Sequence, residues 1–497
     1  MIHDHQDQSG TIGSSVTLRR ALRAGKGLAL ADQNMRIDWR ELTVRISRLD
    51  ESLKNAGVGP RAIVAIPGRN TIAAAAACLG AIATDRCAML VNPFQPTAAM
   101  AEAARSGRPV VMLLEEQDLD DASFDGGGDV LILSPDGSVQ RHRGQGESAQ
   151  RFSDAALILS TSGTTGTPKK VSITDRTLAL SMKDIGLFNL GFGDRPDATG
   201  SWAPLLQYSP LAHIGGALTL LRGATQARPV VMFDKFDPHR WAEAVTEHRP
   251  TTTGLPPAMM RMLLDAAIPP PALTSLTSVW SGSAPVKPDT VNAFTERYGL
   301  PVLGNYGATE FCGAVATWSL DDYRRFHAER SAATGRIRPS VAHARVRDPN
   351  SGEILATGET GILELRVHRV GPEWLGTTDL AHLDADGFLY LHGRADDVIM
   401  RGGFKITPDT VVGALRRHPA VRDAAVVGIA DRRLGQVPVA VVELCASHRA
   451  DETQLISFVR ESLPAYFAPT AIRIVSALPR TPTMKIDRGA VRALFEA

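Results

Sequence analysis

Residues 160–170 concentrate hydroxyl side chains, two glycines and two lysines directly after an apolar run, Ala155–Leu159. Glycine lacks a Cβ, so the backbone N–H groups around it can closely approach the oxygens of a phosphate. The hydroxyl groups add further donors, and lysine adds a positive charge. The residues concerned are Ser160, Thr161, Ser162, Gly163, Thr164, Thr165, Gly166, Thr167 and Lys169. This segment, called here the phosphate-loop candidate, therefore predicts a polyphosphate site.

The phosphate-loop candidate differs from a Walker A loop and from a flexible linker. A Walker A loop needs glycine immediately before its lysine, where this chain has Pro168. A Ser/Thr/Gly linker is the ordinary alternative. Linkers, however, rarely follow a strand-like run so abruptly or carry the sequence Pro168-Lys169-Lys170. The residues favour phosphate binding by a loop of another kind.

Four further stretches carry side chains that could act on a nucleotide or an acid. They are His213 before a Gly–Gly pair, Asn305–Glu310 after a predicted strand, Asp379 fifteen residues before Arg394, and Lys485 in a proline-flanked loop. Each alone has an ordinary explanation. His213 could be a helix cap or a core histidine, Tyr306 core packing, Glu310 a surface charge, and Lys485 a solvated lysine. Those separate explanations do not account for the order and spacing of all five stretches.

In that order the chain resembles the adenylate-forming superfamily of acyl- and aryl-CoA synthetases, luciferases and nonribosomal-peptide adenylation domains. The resemblance covers nearly all of the chain from about residue 27 onward. Its most specific pieces are STSGTTGTPKK at 160–170, NYGATE at 305–310, GRADDVIMRGGFKI at 393–406 and PRTPTMKIDR at 479–488. The family's fold, reaction and ligands are therefore expectations for this chain.

The resemblance implies that the chain binds ATP. The phosphate-loop candidate would hold the β- and γ-phosphates, with Lys169 supplying charge. Thr309 would bond the α-phosphate, and Glu310 would bind Mg²⁺, a hard cation that prefers oxygen ligands. Asp379 would take the ribose hydroxyls, helped by Arg394. The residues expected around the adenine are Asn305, Tyr306, Gly307 and the turn formed by Ser281, Gly282, Ser283, Ala284 and Pro285.

The resemblance also implies a two-step reaction that yields a CoA thioester. A carboxylate attacks the α-phosphorus to give an acyl-adenylate and pyrophosphate, and a thiol then attacks the acyl carbon and displaces AMP. Lys485 would stabilise charge in the first step, and the other residues expected to be catalytic are His213, Thr309 and Glu310. Between the steps a C-terminal domain would rotate about Asp396, withdrawing Lys485 and delivering the loop that contains Gly402 and Gly403.

Short apolar runs alternate with helical ones and predict a mixed α/β fold with several subdomains. We predict a large N-terminal domain, residues 1–393, made of two parallel-type αβα subdomains and a small β-barrel-like unit built from residues 330–393. A small, mobile α+β C-terminal domain, residues 394–497, would follow. The apolar stretch 70–84 is too short to span a bilayer and predicts a buried helix. Residues 117–154 predict a surface connection with a hairpin.

Two departures from the family pattern precede Asp379. Family members usually carry a longer excursion with a Gly-Tyr element, whereas here only Val367–Gly376, which includes Trp374, remains. The usual Thr-Gly-Asp reads Thr377-Thr378-Asp379 in this chain. Neither departure removes a charged catalytic group, so we expect activity to survive, with a trimmed β unit and more open access.

The expected substrate is a hydrophobic carboxylic acid other than an α-amino acid. Amino-acid-activating domains place an aspartate directly after the position of His213, where this chain has Ile214. Glycines around the expected pocket would leave room for a bulky or ring-bearing acid. The predicted pocket residues are His213, Ile214, Gly215, Gly216, Gly282, Gly304 and Gly307. The leading hypothesis is a stand-alone acyl- or aryl-CoA ligase; the alternatives are an adenylase that loads a separate carrier protein and an inactive nucleotide-binding regulator.

The composition of the 497 residues is ordinary for a soluble globular protein, with 44% hydrophobic and 22% charged residues. A formal net charge of +1 gives no reason to expect nucleic acid or a membrane surface as partner. The cysteines lack C-x-x-C spacing, which argues against zinc and fits a reducing compartment. The N-terminal residues lack the apolar core of a secretory signal, so a cytoplasmic location is predicted. A homodimer is left open.

Overall fold

The computed structural model describes residues 13–95, 97–118, 129–143, 153–161, 169–197, 201–282, 288–445, 448–481 and 484–496. Within those ranges the strands are β1 (Leu28–Ala31), β2 (Arg36–Asp38), β3 (Ile63–Pro67), β4 (Cys87–Val91), β5 (Val111–Leu114), β6 (Asp129–Leu133), β7 (Val139–Arg143), β8 (Ala155–Thr161), β9 (Lys169–Thr174), β10 (Leu205–Gln207), β11 (Val230–Met232), β12 (Thr252–Gly254), β13 (Ser278–Ser281), β14 (Val302–Ala308), β15 (Gly313–Thr317), β16 (Gly335–Ile337), β17 (Ala342–Arg347), β18 (Gly361–Val367), β19 (Leu375–Leu383), β20 (Phe388–Arg394), β21 (Ile399–Arg401), β22 (Phe404–Ile406), β23 (Val421–Asp431), β24 (Gly435–Leu444) and β25 (Ile472–Val475).

The helices of the same ranges are α1 (Ser14–Ala24), α2 (Trp39–Asn55), α3 (Ile72–Ala83), α4 (Thr97–Gly107), α5 (Asp175–Gly191), α6 (Ile214–Thr225), α7 (Pro238–His248), α8 (Pro257–Asp265), α9 (Pro288–Tyr298), α10 (Leu320–Arg330), α11 (Pro408–Arg416), α12 (Glu452–Ser462) and α13 (Arg488–Glu496). Among the described residues, no helix has both the length and the apolar character needed to cross a bilayer.

The chain divides into two compact units. The first comprises Met1–Ser331 together with His368–Gly371, and the second comprises Ala332–Val367 together with Pro372–Ala497. The second unit therefore groups the predicted β unit with the C-terminal α+β segment. The predicted domain boundary at residue 393 and the predicted mobility of the C-terminal domain remain predictions.

A seven-stranded sheet forms the centre of the first unit, in the order β7-β6-β5-β3-β4-β8-β9. Its inner strands run parallel, and each edge strand runs antiparallel to its neighbour. Helix α3 is buried on nearly all sides, because its alanines and Gly80 have small side chains that allow close packing. At Gly80 the neighbouring helix α2 is so close that an added Cβ would lie 3.1 Å from Leu49. The expected buried helix is confirmed, and Thr71 caps it by accepting the N–H of Ala74.

The predicted surface connection at 117–154 is wrong in one respect. It does contain a hairpin, β6–β7, but β6 pairs in parallel with β5 and extends the seven-stranded sheet. Val130 and Leu131 are buried in the core. The sequence did not predict that β6 joins the sheet, because the residues on either side of this strand are rich in Asp, Gly and Ser.

Two smaller sheets complete the first unit. Strands β10, β11 and β1 run parallel, with β2 antiparallel at one edge. Strands β12, β13 and β14 also run parallel, and β14 folds back through a short turn into antiparallel β15. The carboxyl end of β14 therefore continues directly into a hairpin that carries the NYGATE residues.

The described residues of the second unit form two groups of paired strands. Strands β16-β20-β19-β18-β17 pair antiparallel in that order, as the turn-rich texture of residues 330–393 predicts. Strands β22-β21-β24-β23 form the other sheet, and β25 pairs in parallel with β24. Helices α11, α12 and α13 accompany that sheet, which gives the expected α+β texture. The predicted mixed α/β fold is confirmed.

Candidate active site

The turn between β14 and β15 presents Thr309 and Glu310. The N–H of Phe311 donates to the carbonyl of Ala308 at 3.2 Å, and the N–H of Cys312 donates to the carbonyl of Thr309 at 2.9 Å. These bonds close the turn within the five residues Ala308–Cys312, and the side chain of Glu310 is left exposed. A tight, hydrogen-bonded turn at the end of a strand can hold a hydroxyl and a carboxylate in fixed directions.

The strand β14 places the other predicted adenine residues of this hairpin beside one another. Asn305 pairs with Thr317 and Tyr306 with Ala316, and a bulge follows Tyr306. The Tyr306 ring lies 6.4 Å from the ring of Phe311, centroid to centroid, at a tilt of 55°. The extra residue of this bulge is Val315 of β15, so the bulge bends β15 shortly after the turn.

The buried side chain of Arg369 supports the β14–β15 hairpin by hydrogen bonds to its backbone. Arg369 is 2% exposed, and its Nε donates to the carbonyl of Phe311 at 2.8 Å and its Nη2 to the carbonyl of Ala314 at 2.6 Å. Its Nη1 donates to Asp184 on α5 at 2.7 Å. Ser181, one turn earlier on α5, donates to the carbonyl of Cys312 at 2.6 Å. Sequence reasoning missed this arrangement, because Arg369 stands in the short connection before Asp379 and no motif marks it.

His213 is the N-cap of helix α6. Its Nδ1 accepts the N–H of Gly215 at 3.3 Å, and its carbonyl accepts the N–H of Ala217 at 3.0 Å. The helix-cap explanation of this residue is therefore correct as to its structural role. It does not exclude the catalytic one, since a neutral imidazole that accepts at Nδ1 carries its proton at Nε2.

The inference that pocket glycines leave open space is wrong at three positions. A Cβ on Gly216 would lie 2.1 Å from the carbonyl of Pro210, and one on Gly282 would lie 2.1 Å from Oδ1 of Asn305. A Cβ on Gly307 would lie 2.3 Å from the carbonyl of Gly313. In each case the missing side chain admits a neighbouring protein group, because the backbone approaches so closely.

The other predicted pocket residues differ among themselves. Ile214 is buried within the core of the first unit. A Cβ on Gly215 would make only an ordinary contact with His213, at 3.5 Å. The carbonyl of Gly304 accepts the N–H of Trp318 at 2.9 Å, which extends the β14–β15 pairing. The assignment of all seven residues to a substrate pocket remains a prediction.

The phosphate-loop candidate joins two antiparallel strands. Ser160 and Thr161 end β8, and Thr161 pairs with Lys169 at the start of β9. The sequence did not predict β9, and the loop is therefore a hairpin connection that leads into α5 by way of a strand. Residues 162–168, which include the predicted ligands Ser162, Gly163, Thr164, Thr165 and Gly166, lie outside the described residues, as do Ser283, Ala284 and Pro285.

The two lysines of the phosphate-loop candidate face opposite sides of β9, as successive residues of a strand do. Lys169 is exposed, whereas Lys170 is half-buried and its Nζ donates to the carbonyl of Ala103 on α4 at 2.9 Å. Burial lowers the pKa of Lys170 to about 8. Lys170 therefore belongs to the packing of α4 against the sheet, while the role of Lys169 as a phosphate ligand remains a prediction.

In the second unit, Asp379 and Arg394 are direct partners across β19 and β20. Nη1 of Arg394 lies 4.0 Å from Oδ1 of Asp379. The N–H of Asp379 donates to Oγ1 of Thr377 at 3.0 Å, and that hydroxyl donates to the carbonyl of Leu363. The predicted ribose pair is thus assembled by strand register, and the first threonine of Thr377-Thr378-Asp379 supports it.

Arg394 also engages the predicted hinge. Its Nε and Nη2 donate to the two carboxylate oxygens of Asp396 at 2.9 and 2.8 Å. The next residue, Asp397, forms an ion pair with Arg488 at the start of α13. Burial, and then the charge of Arg394, lower the pKa of Arg488. The segment 394–397 therefore combines one arginine with two aspartates, and both aspartates pair with arginines.

The Gly402–Gly403 pair forms the turn of the β21–β22 hairpin, where Arg401 pairs with Phe404. Both glycines have positive φ, 56° and 89°, the combination that a two-residue hairpin turn of type I′ requires. Nη1 of Arg401 donates to the carbonyl of Tyr466 at 2.7 Å, and Phe404 stacks on the ring of Tyr466. The loop is thus a defined turn with a side-chain-free tip.

Lys485 lies in a small turn just before α13. The N–H of Thr481 donates to the carbonyl of Lys485 at 2.8 Å, and Met484 has a φ of 62°. Nη1 of Arg480 donates to the carbonyl of Met484 at 3.1 Å, and its Nη2 donates to Asp423 on β23 at 2.8 Å. The backbone carbonyls of Met484 and Lys485 are therefore held by hydrogen bonds within the second unit.

The residues present fit a magnesium ion that is shared with a nucleotide. Among the described residues, no group of three or more His, Cys, Asp or Glu side chains could hold a metal alone. Glu310 offers one exposed carboxylate. Mg²⁺ typically takes one or two carboxylates and completes its shell with water and substrate phosphates. Glu310 would hold the ion only with the help of the triphosphate.

Two family descriptions match the chain. The AMP-binding enzyme description matches residues 18–372, and that of the AMP-binding enzyme C-terminal domain matches residues 413–485. The chain belongs to the AMP-binding enzyme family. The predicted superfamily is thereby confirmed, and the C-terminal match ends at Lys485 itself.

Relatives of this AMP-binding enzyme include CoA ligases. It is 30% identical over 511 residues to the sulfoacetate–CoA ligase of Cupriavidus necator, with 96% of each chain covered. It is 29% identical to the indoleacetate–CoA ligase of Aromatoleum aromaticum, over 92% of this chain and 93% of the relative. The structure of the amide bond synthetase McbA from Marinactinospora thermotolerans matches with a TM-score of 0.78 and 26% identity, over 97% of this chain and all of the other.

Proposed function

We propose that this protein is an AMP-forming acid–thiol ligase that activates a carboxylic acid with ATP and transfers the acyl group to CoA. The observation that carries the proposal is the presence of both family regions in one chain, the second ending at Lys485. Relatives named as CoA ligases align over nearly their whole length, which supports CoA as the acceptor.

The described side chains suit the first step. The carboxylate oxygen of the acid forms a bond to the α-phosphorus as the bond to the β-phosphate oxygen breaks, and pyrophosphate leaves with the electron pair. Thr309 would bond the α-phosphate and Lys485 would stabilise the charge that develops there. Glu310 would hold Mg²⁺, which neutralises phosphate charge when bound. Asp379 and Arg394 would position the ribose.

The second step would form the thioester. The sulfur of CoA bonds to the acyl carbon while the bond to the AMP oxygen breaks, and AMP departs with the electron pair as the thiol proton passes to solvent. The Gly402–Gly403 turn, a side-chain-free tip with open space beside Gly403, suits close approach of a pantetheine arm. We propose Asp396 as the hinge between the two steps.

ATP–pyrophosphate exchange across a panel of acids would test the first step, followed by an assay of CoA-dependent release of AMP. The panel should hold fatty, aromatic and polycyclic acids, and also sulfoacetate and indoleacetate, because those two acids name relatives. We expect exchange with at least one hydrophobic acid and a thioester when CoA is added. Pyrophosphate exchange that yields no thioester with CoA, but does yield a thioester when a carrier protein is supplied, would favour the carrier-loading alternative. The absence of exchange with every acid would contradict the proposal.

A second acceptor class is favoured by the likeness to McbA, whose description is amide bond synthetase. In that case an amine, in place of a thiol, would attack the acyl carbon of the adenylate. Competition between CoA and a panel of amines for the same adenylate would separate the two functions. The cytoplasmic location and a homodimer stay predictions, and light scattering of the purified protein would check the homodimer.

A further inference from the structure

We propose that Arg369 is a positioning residue for adenylation, which fixes the turn from which Thr309 and Glu310 reach the nucleotide. The inference rests on the proposed function, because it gives those two residues a role with MgATP. Arg369 itself points its guanidinium at backbone carbonyls and at Asp184, so it acts through the turn.

The turn needs support because its backbone is unusual. Cys312 and Gly313 follow one another with φ of 54° and 118°, and a bulge at Val315 interrupts the pairing of β15 shortly after them. Left-handed backbone at a residue other than glycine persists only where the surroundings over-determine it. The carbonyls of Phe311, Cys312 and Ala314 each accept from Arg369 or Ser181 at 2.6 to 2.8 Å. Those bonds hold the backbone immediately after Glu310.

The guanidinium group is suited to this task. It directs three N–H groups to three acceptors in different directions: the carbonyl of Phe311, the carbonyl of Ala314 and the carboxylate of Asp184. A lysine has the charge but not the rigid planar fork, so it would leave some acceptors unsatisfied. Asp184 supplies the counter-charge that a group 2% exposed requires.

The hydrogen bonds of Arg369 and Ser181, called here the Arg369 clamp, also connect the turn to helix α5, which follows the phosphate-loop candidate in the chain. Helix α5, which carries Ser181 and Asp184, begins at Asp175, directly after β9 and its first residue Lys169. The hairpin expected to hold the β- and γ-phosphates and the turn expected to hold the α-phosphate and Mg²⁺ therefore share one supporting helix. A shift of the Arg369 clamp would change the distance between those two groups of phosphate ligands.

A purely structural arginine would stabilise the fold without affecting one ligand more than another. Binding of MgATP and of adenosine separates the two roles. Adenosine would use the residues around the base and ribose, such as Asn305 and Asp379, and none of the phosphate ligands on the turn. A positioning role therefore predicts a selective loss.

The experiment uses Arg369→Lys and Asp184→Asn in the full chain, with Arg366→Lys as the matched control. Arg366 lies three residues before Arg369 and places its guanidinium over the ring of Trp374. Calorimetry should show MgATP binding weakened about tenfold by Arg369→Lys, the usual loss for a misplaced charged contact. Adenosine affinity should change less than about twofold, the range expected of an uninvolved contact.

Equal losses for MgATP and adenosine, or unchanged MgATP binding in both variants, would overturn the positioning role. A comparable selective loss in Arg366→Lys would also overturn it. Wild-type protein that binds MgATP but performs no exchange with any acid would contradict the proposed function instead, since the binding comparison needs no acid. Should Arg369→Lys fail to fold, Asp184→Asn, which removes the counter-charge that holds the Arg369 guanidinium in place, gives the same comparison.

Discussion

Arg394 and Asp396 form a two-point ion pair, with Nε and Nη2 of the arginine 2.9 and 2.8 Å from the two carboxylate oxygens. The third nitrogen, Nη1, lies 4.0 Å from Asp379. One guanidinium thus contacts the proposed hinge and also faces the proposed ribose ligand. Ribose binding and hinge position are therefore expected to influence each other through Arg394.

Asp396→Asn should weaken ATP binding through that shared arginine. Without the fork, Arg394 would turn toward Asp379 and Asp397, and a paired Asp379 is a poorer acceptor for ribose hydroxyls. The KM for ATP in pyrophosphate exchange should rise about two- to fivefold, in keeping with a partly exposed pair. In a double-mutant cycle with Arg394→Lys the two effects should not add. Additive effects, or an equal rise with 2′-deoxy-ATP, would separate Asp396 from ribose binding.

Lys485→Ala should abolish most of the adenylation rate and spare the thioester step. The lysine is the charge expected at the α-phosphate in the first step, and losing such a group typically costs about 10²–10³ in rate. Each half-reaction is measured alone, by exchange and from a preformed adenylate. Lys405→Ala, which removes an exposed lysine of β22, is the control. Equal losses in both half-reactions would refute the rotation of Lys485 away from the site.

His213→Asn and His213→Ala should differ in stability but agree in activity. Asparagine is a good N-cap, so its side-chain oxygen can accept the N–H of Gly215 in place of Nδ1 of His213. Alanine offers no acceptor and should cost about 1 kcal/mol of stability. Both variants remove the imidazole from the proposed catalytic set. Denaturant unfolding and the exchange rate report the two effects separately. An active His213→Asn variant would leave the residue with a capping role only.

Lys170→Met should change the pH dependence of stability. Burial lowers the pKa of Lys170 from 10.5 to about 8 in the folded state. The folded protein therefore binds fewer protons than the unfolded chain between these values, so this group makes the free energy of unfolding rise with pH across that window. Below about pH 8 the charged amine is buried at a cost. The variant should lose that rise and gain stability near neutral pH.

Denaturant unfolding of wild type and Lys170→Met at several pH values would measure the effect. Lys169→Met, the exposed neighbour on the other face of β9, is the control and should keep the rise. Identical pH profiles for wild type and Lys170→Met would show that the amine stays solvated in the folded state.

Periodic patterns carried most of the fold prediction. The runs at Ile63–Pro67 and Cys87–Val91 are short, wholly buried strands, and the turn-rich residues 330–393 do form an antiparallel unit. Strand register also explains why Asp379 and Arg394, fifteen residues apart, are partners: a hairpin returns the chain to the same level. These features depend on local sequence, which a single chain displays.

The features that the sequence did not predict depend on long-range contacts. Strand β9 begins with two lysines and does not look apolar, yet it pairs along β8. Arg369 looks like a surface charge until Asp184, 185 positions earlier, supplies its counter-ion. The glycines expected to open a pocket at Gly216, Gly282 and Gly307 instead admit close neighbours. Neither a counter-ion nor a close backbone approach can be read from the residue type.

The segment His368–Gly371 has a consequence for how such enzymes can be recombined. The chain leaves the second unit after Val367. The four residues His368–Gly371 belong to the first unit, and the second unit resumes at Pro372. An exchange of halves between relatives at residue 331 would pair α5 and the β14–β15 turn with a foreign connection in place of Arg369. The AMP-binding enzyme family description matches residues 18–372, a range that includes both Arg369 and Asp184. A crossover after that point would inherit the nucleotide turn and its support together.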